Sequence, residues 1–116
     1  MVTNPKFQLF QGNNQEYYFR LNARNGEQIL ASEGYQTLAN CMNGIESVKK
    51  NAADGRRFER KVAKDGRFYF NLTATNGQVI GKSQMYKSED GRDNGIQAVQ
   101  NVAADAPIED LTAQTE

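Results

Sequence analysis

Apolar and polar side chains alternate from residue 17 to 24. Tyr17, Phe19, Leu21 and Ala23 fall on one side, and Tyr18, Arg20, Asn22 and Arg24 on the other. A period of two marks a half-buried β-strand. Asn25-Gly26 follows at once and predicts a tight hairpin of type I′, leading into a strand over Gln28–Ser32. Upstream, the polar turn Gly12-Asn13-Asn14 separates this strand from another at Phe7–Gln11. After Thr37 the period turns helical. Leu38, Cys41, Met42, Ile45, Val48 and Ala52 make one stripe, with Thr37 as its N-cap.

The same pattern recurs 51 residues on, without a gap: 17 of the 48 pairs from Phe7–Asp54 to Phe58–Asp105 are identical. Tyr69, Phe70, Leu72 and Ala74 repeat the strand, Asn76-Gly77 the turn, Ser83 and Tyr86 the corner, and Gly95, Ile96 and Val99 the helix. Such self-similarity is the signature of a duplicated supersecondary unit. Each unit reads β-β-β-α followed by a strand. The second helix, capped by Ser88, is expected to start late, because Gly91, Asp93, Asn94 and Gly95 precede its first large apolar residue. Gly44 and Gly95 each cost a helix interior about 1 kcal/mol relative to Ala. They read as points of close helix-on-sheet packing, since no Gly-rich loop suggests a phosphate site.

One unit of roughly 50 residues buries little surface, and two together form an adequate core. The chain is therefore read as one domain, residues 1-116, with repeat one at 6-56, repeat two at 57-112 and a loose tail at 113-116. The expected architecture is α+β: one antiparallel sheet with both helices on one face. Its core is Phe19, Leu21, Ile29, Leu38, Met42, Ile45, Val48, Phe70, Leu72, Ile80, Ile96 and Val99. Strand Arg57–Ala63 belongs to both repeats. Ile108–Thr112 is expected to return to the first repeat, with Leu111 buried, closing a monomer.

Composition narrows the chemistry. Fourteen Lys and Arg balance 14 Asp and Glu, and the chain has no His, no Trp and one Cys. That inventory offers no His-ligated metal, Ser-His or Cys-His pair, zinc knuckle or internal disulfide. No cofactor is expected. No apolar run approaches the ~20 residues of a membrane span. The start lacks a signal-like apolar run, and the lone Cys41 suits a reducing compartment, so a cytoplasmic location is expected.

The motif set is specific: Leu21-Asn22-Ala23-Arg24-Asn25-Gly26-Glu27, Ser32-Glu33-Gly34-Tyr35 and Asn43-Gly44-Ile45-Glu46-Ser47-Val48, with Phe68-Tyr69-Phe70-Asn71-Leu72, Asn76-Gly77 and Gly95-Ile96 in the second copy. Over residues 6 to 112 the chain resembles the YegP-like family of small bacterial proteins. The resemblance implies a β(3)-α-β unit doubled about a pseudo-twofold, with the post-helix strands exchanged. It supplies a fold and no catalytic residues.

Cys41, on the apolar stripe, reads as core. The run Glu89–Gly95 lacks the ligand spacing of a calcium loop and reads as a capped helix start. One surface stands out. Alternation sends Tyr18, Arg20 and Arg24 to the sheet face away from the helices, with Tyr69 as the counterpart of Tyr18. The basic segment 56-67, with Arg60 and Lys61, lies near. The leading expectation is a non-enzymatic module binding a protein or other partner through this face. The alternative is weak binding of single-stranded nucleic acid, since aromatic and arginine side chains stack bases. A small-molecule enzyme ranks third, for want of an acid–base or nucleophilic set.

Overall fold

The computed structural model describes residues 2–114. Its strands are β1 (Lys6–Gln11), β2 (Tyr17–Asn22), β3 (Gln28–Ala31), β4 (Phe58–Val62), β5 (Phe68–Thr73), β6 (Val79–Lys82) and β7 (Ile108–Asp110). Its α-helices are α1 (Leu38–Asn51) and α2 (Glu89–Val102), and short 3-10 turns span Gly55–Arg57 and Leu111–Gln114. The seven strands form one sheet in the order β4-β5-β6-β3-β2-β1-β7. Neighbours are antiparallel except β1 and β7, which run parallel, Phe7 opposite Ile108.

The repeats meet through β3 and β6, where Ala31 faces Lys82, its own counterpart 51 residues on. The pseudo-twofold axis therefore passes through this pair. Beside it the copies diverge for a steric reason. Leu30 is fully buried, and a Cβ on its counterpart Gly81 would lie 2.8 Å from the Leu30 Cγ. Two symmetry mates compete for one space at the axis, and one leucine fills it. The post-helix strands are exchanged: β4 follows α1 but pairs with β5, and β7 follows α2 but pairs with β1.

Both helices pack on one face, α1 on β2, β5 and β6 and α2 on β5 and β3. That face presents Phe7, Leu9, Phe19, Leu21, Phe70 and Leu72, all fully or almost fully buried. Strand alternation thus sets the register as expected. The helix stripe is narrower than its sequence suggests. It centres on Cys41, Ile45 and Val48, leaving Met42 38% exposed and Leu38 half-buried. Phe7, Leu9, Leu30, Phe58 and Val102 complete the core.

Three further expectations need correction. The second helix starts at Glu89 and runs all 14 residues. The Ser88 hydroxyl accepts the Gly91 N–H at 3.0 Å, and Glu89 and Asp90 occupy the first turn, where the helix dipole favours acids. Arg92 is buried there, its guanidinium 5.5 Å from the Phe68 ring centre. Secondly, the hairpins are not type I′. Gly26 and Gly77 have φ of +86° and +85°, but Asn25 and Asn76 do not have positive φ. The bonds Gly26 N–H to Ala23 O (2.9 Å) and Ala23 N–H to Glu27 O (2.8 Å) define a three-residue loop closed by one left-handed residue. The Asn25 carboxamide accepts the Glu27 N–H at 2.9 Å, which favours this form. Thirdly, β7 ends at Asp110. Leu111 lies in the 3-10 turn and is half-buried, so it contributes less than a fully buried leucine. The turn extends to Gln114, and Thr115 and Glu116 of the expected tail lie outside the described residues.

The β1–β2 hairpin uses the same loop with Gln15 at the left-handed position, φ +71°. A non-glycine residue there costs about 1 kcal/mol. Gln15→Gly is expected to stabilise the chain by about that amount, read as a raised denaturation midpoint with unchanged slope.

Candidate binding face

The face opposite the helices is uncovered. On β1 and β2 the Tyr18 and Phe10 rings stack, with centres 5.7 Å apart and planes 18° apart. The Arg20 guanidinium lies 4.7 Å from the Phe10 ring centre, a cation–π distance, and its Nε donates to Gln8 Oε1 at 2.7 Å. Asn14 Nδ2 donates to the Tyr18 hydroxyl at 2.8 Å. These contacts hold Tyr18 and Arg20 in place. On the other repeat, Lys82 Nζ sits 4.9 Å from the Tyr69 ring centre. At the seam of the repeats, beside the Tyr69–Lys82 pair, lies an open groove of about 380 Å³ lined by Gln28, Ser32, Glu33, Tyr69, Asn71 and Lys82 among others.

The outer end of this face is tied down by Glu109 of β7. Its carboxylate accepts Gln8 Nε2 at 2.9 Å and pairs with Lys6 Nζ at 2.8 Å. These bonds, the Gln8 one foremost, hold the Glu109 carboxyl below its ordinary 4.5. A depressed carboxyl pKa adds stability above the unfolded value and loses it as pH falls through the folded one. Wild type should therefore lose more stability than Glu109→Gln between about pH 5 and pH 3. Parallel acid titrations of the two proteins, followed by urea melts, check this.

The six candidate residues do not all share the face. Tyr18, Arg20, Tyr69 and Lys61 do, Lys61 standing opposite Tyr69 in the β4–β5 register. Arg60 does not. It stands opposite the buried Phe70, so it points to the helix side, where its Nε meets Asp93 Oδ1 of α2 at 3.0 Å. Arg24 also departs. The β2–β3 register shifts between Leu21 and Asn22 and β2 ends there, so the alternation stops before residue 24. Arg24 instead lines a depression with Ala98, Asn101 and Val102 of α2. Sequence reasoning missed two members. Phe10 is signalled by its place in β1, opposite Tyr18. Lys82 carries no repeat signal, because its counterpart is Ala31.

The basic segment is largely neutralised locally. Arg56 pairs with Asp54 at 3.0 Å and Arg67 with Asp65 at 2.8 Å. The Arg56 hydrogen bonds hold the Asp54 carboxyl down to about 2. Cys41 is fully buried, and burial, with Asp110 adding to it, pushes its thiol up to about 11. It is a neutral core thiol, not a poised nucleophile. The helix glycines also find their reason. A Cβ on Gly44 would lie 2.8 Å from the Tyr35 Cζ and 3.0 Å from the Phe19 ring, and one on Gly95 2.8 Å from the Tyr86 Cζ. The corner tyrosines pack on the helix glycines. Among the described residues no three His, Cys, Asp or Glu side chains gather as a metal-binding group, and no helix is long and apolar enough to cross a membrane.

These features define an α+β protein built from two tandem β(3)-α-β repeats on one sheet. The chain belongs to the DUF1508 family, a domain of unknown function, whose pattern matches twice, at residues 12–59 and 63–110. It is 52% identical over 102 residues to the UPF0339 protein in the ptx operon 5′ region of Stutzerimonas stutzeri, covering 88% of this chain and 92% of the relative. It is 42% identical over 106 residues to the UPF0339 protein YegP of Shigella flexneri, covering 91% and 96%. The solution NMR structure of a UPF0339 protein from Shewanella oneidensis superposes with a TM-score of 0.90 at 44% identity, covering 96% of this chain and 94% of that one. The YegP structure from E. coli, a protein of unknown function by its description, gives 0.88 at 38% identity, covering 96% of each.

Proposed function

We propose that this protein is a non-enzymatic binding module, monomeric and cytoplasmic, that engages its partner through the uncovered sheet face. The observation that carries this reading is the pair of cation–aromatic clusters on one face, Arg20 on Phe10 beside Tyr18 and Lys82 on Tyr69, the latter lining the seam groove. Such clusters offer flat apolar surface and positive charge together, which suits planar or anionic groups. Single-stranded nucleic acid is the second reading, favoured by the stacked Phe10–Tyr18 pair and by Lys61 beside Tyr69.

Amide NMR on the labelled full chain tests both readings. The probes are a panel of aromatic and anionic fragments and, separately, oligothymidylate. Shifts are expected around Arg20, Tyr69 and Lys82, and Tyr18→Ser with Tyr69→Ser should weaken binding at least about tenfold. Binding of oligothymidylate alone, lost with added salt, selects the nucleic-acid reading. Shifts confined to the helices, or a double variant that binds like wild type, would overturn the assignment of the face.

A further inference from the structure

We infer that the outer edge of β4 is a strand-addition site for an extended segment of another protein, running parallel to β4 with acidic residues opposite Arg60 and Lys61. The inference is independent of the sheet-face reading. It rests on the duplication itself. β4 is the repeat counterpart of β1, and the outer edge of β1 is filled by β7 in parallel register, Phe7 to Ile108 and Leu9 to Asp110. Among the described residues no strand pairs with the outer edge of β4, which ends the strand order.

The edge is polar-competent. Ala63 donates its N–H inward to Arg67 O at 2.7 Å, so alternation turns the N–H groups of Arg60 and Val62 outward. The Phe58 N–H is already used by Gly55 O. Val62 is 60% exposed, whereas the end of β1 is covered by the 3-10 turn that follows β7.

Charge selects the occupant. Arg60 and Arg92 both donate to one carboxylate oxygen, Asp93 Oδ1, at 3.0 and 3.2 Å. Two guanidinium groups share one acid, which leaves a cation for an incoming carboxylate opposite Arg60. Lys61 faces the other side, where among the described residues its one acid partner is Glu59 at 4.0 Å. A second copy pairing β4 with β4 about Arg60 would set Glu59 against Lys61 and Phe58 against Val62 but place the two arginines opposite each other, so dimerisation through β4 is a competing outcome that the test must separate. Residues 54 to 67 carry six basic side chains against three acids, a net positive charge that two copies would share. The fitting partner is thus an acidic strand, apolar opposite Phe58 and Val62, with a basic or neutral residue opposite Glu59. Main-chain bonds supply affinity and these alternate side chains supply specificity, as in other strand additions.

The probe is the peptide acetyl-Ala-Pro-Ile-Lys-Asp-Glu-Val-amide, added to the labelled full chain. The Arg60 and Val62 amides should shift and exchange more slowly with solvent. A peptide with Glu-Lys-Lys in place of Lys-Asp-Glu should bind at least about tenfold more weakly. Val62→Pro removes an outward N–H and no β5 bond, so it should abolish binding with an unchanged melt. The exposed Lys61→Glu serves as a second variant and should narrow or invert the preference between the peptides. The inference fails if shifts appear at Phe7 and Leu9 or on the open face instead, if both peptides bind equally, if Val62→Pro folds and binds like wild type, if nothing binds at millimolar peptide, or if the chain dimerises through β4.

Discussion

Removing the chain after Ala106 is expected to lower the melting temperature by at least about 10 °C and to cause association. The segment lost is short but closes the sheet. β7 covers the outer edge of β1, and Ile108 packs on the core. The adjoining bond from Phe7 N–H to Pro107 O at 2.8 Å goes with it. So do the bonds from Gln8 and Lys6 to Glu109, which brace the outer end of the sheet. The side chains left at a bare edge, Phe7 and Leu9, are fully buried in the intact chain. An unpaired strand with apolar neighbours is a template for pairing with another chain. Calorimetry and sedimentation of the truncated protein check this, and a monomer melting with wild type would refute the closing role of β7.

Gly44→Val is expected to destabilise by about 3 kcal/mol, at the upper end of overpacking costs. Intrinsic propensity argues for the opposite sign, since a glycine in a helix interior is unfavourable. Packing decides. The added Cβ must displace the Tyr35 ring, which is stacked on Phe19 with centres 6.3 Å apart, or push α1 off the sheet. Tyr35→Ala together with Gly44→Val should recover part of the loss, a coupling that a double-mutant cycle measures. Even Gly44→Ala should destabilise. A neutral or stabilised Gly44→Val would show that the tyrosine is not seated on the glycine.

Much of the fold was legible because strand alternation and the 51-residue repeat state the same thing twice. Phe19 and Phe70 lie inside, and Tyr18 and Tyr69 outside, as their parity requires. What was not legible has local causes. The Asn-Gly pairs suit several turns, and hydrogen bonds from the Asn25 side chain and the Ala23 backbone select the three-residue form. The polar front of α2 suggests a late or frayed start, but Arg92 finds Phe68 and Asp93 only in three dimensions. The parallel pairing of β7 depends on the direction in which α2 delivers the chain, which side-chain pattern does not encode. The candidate face was half-read for a related reason. Parity alone placed Arg24 with Tyr18, and a register shift ended the strand first. Arg60 was grouped with Lys61 by charge, although adjacent residues in a strand face opposite sides.

The direct measurement is photo-crosslinking in living cells, with a photoreactive phenylalanine placed at Tyr69, where it keeps an aromatic ring on the open face, or at Glu46 on the exposed side of α1. The binding reading predicts a discrete adduct from Tyr69 that Arg20→Ala with Lys82→Ala abolishes, and none from Glu46. Adducts from Glu46 and none from Tyr69, or a Tyr69 adduct unaffected by the charge substitutions, would contradict it.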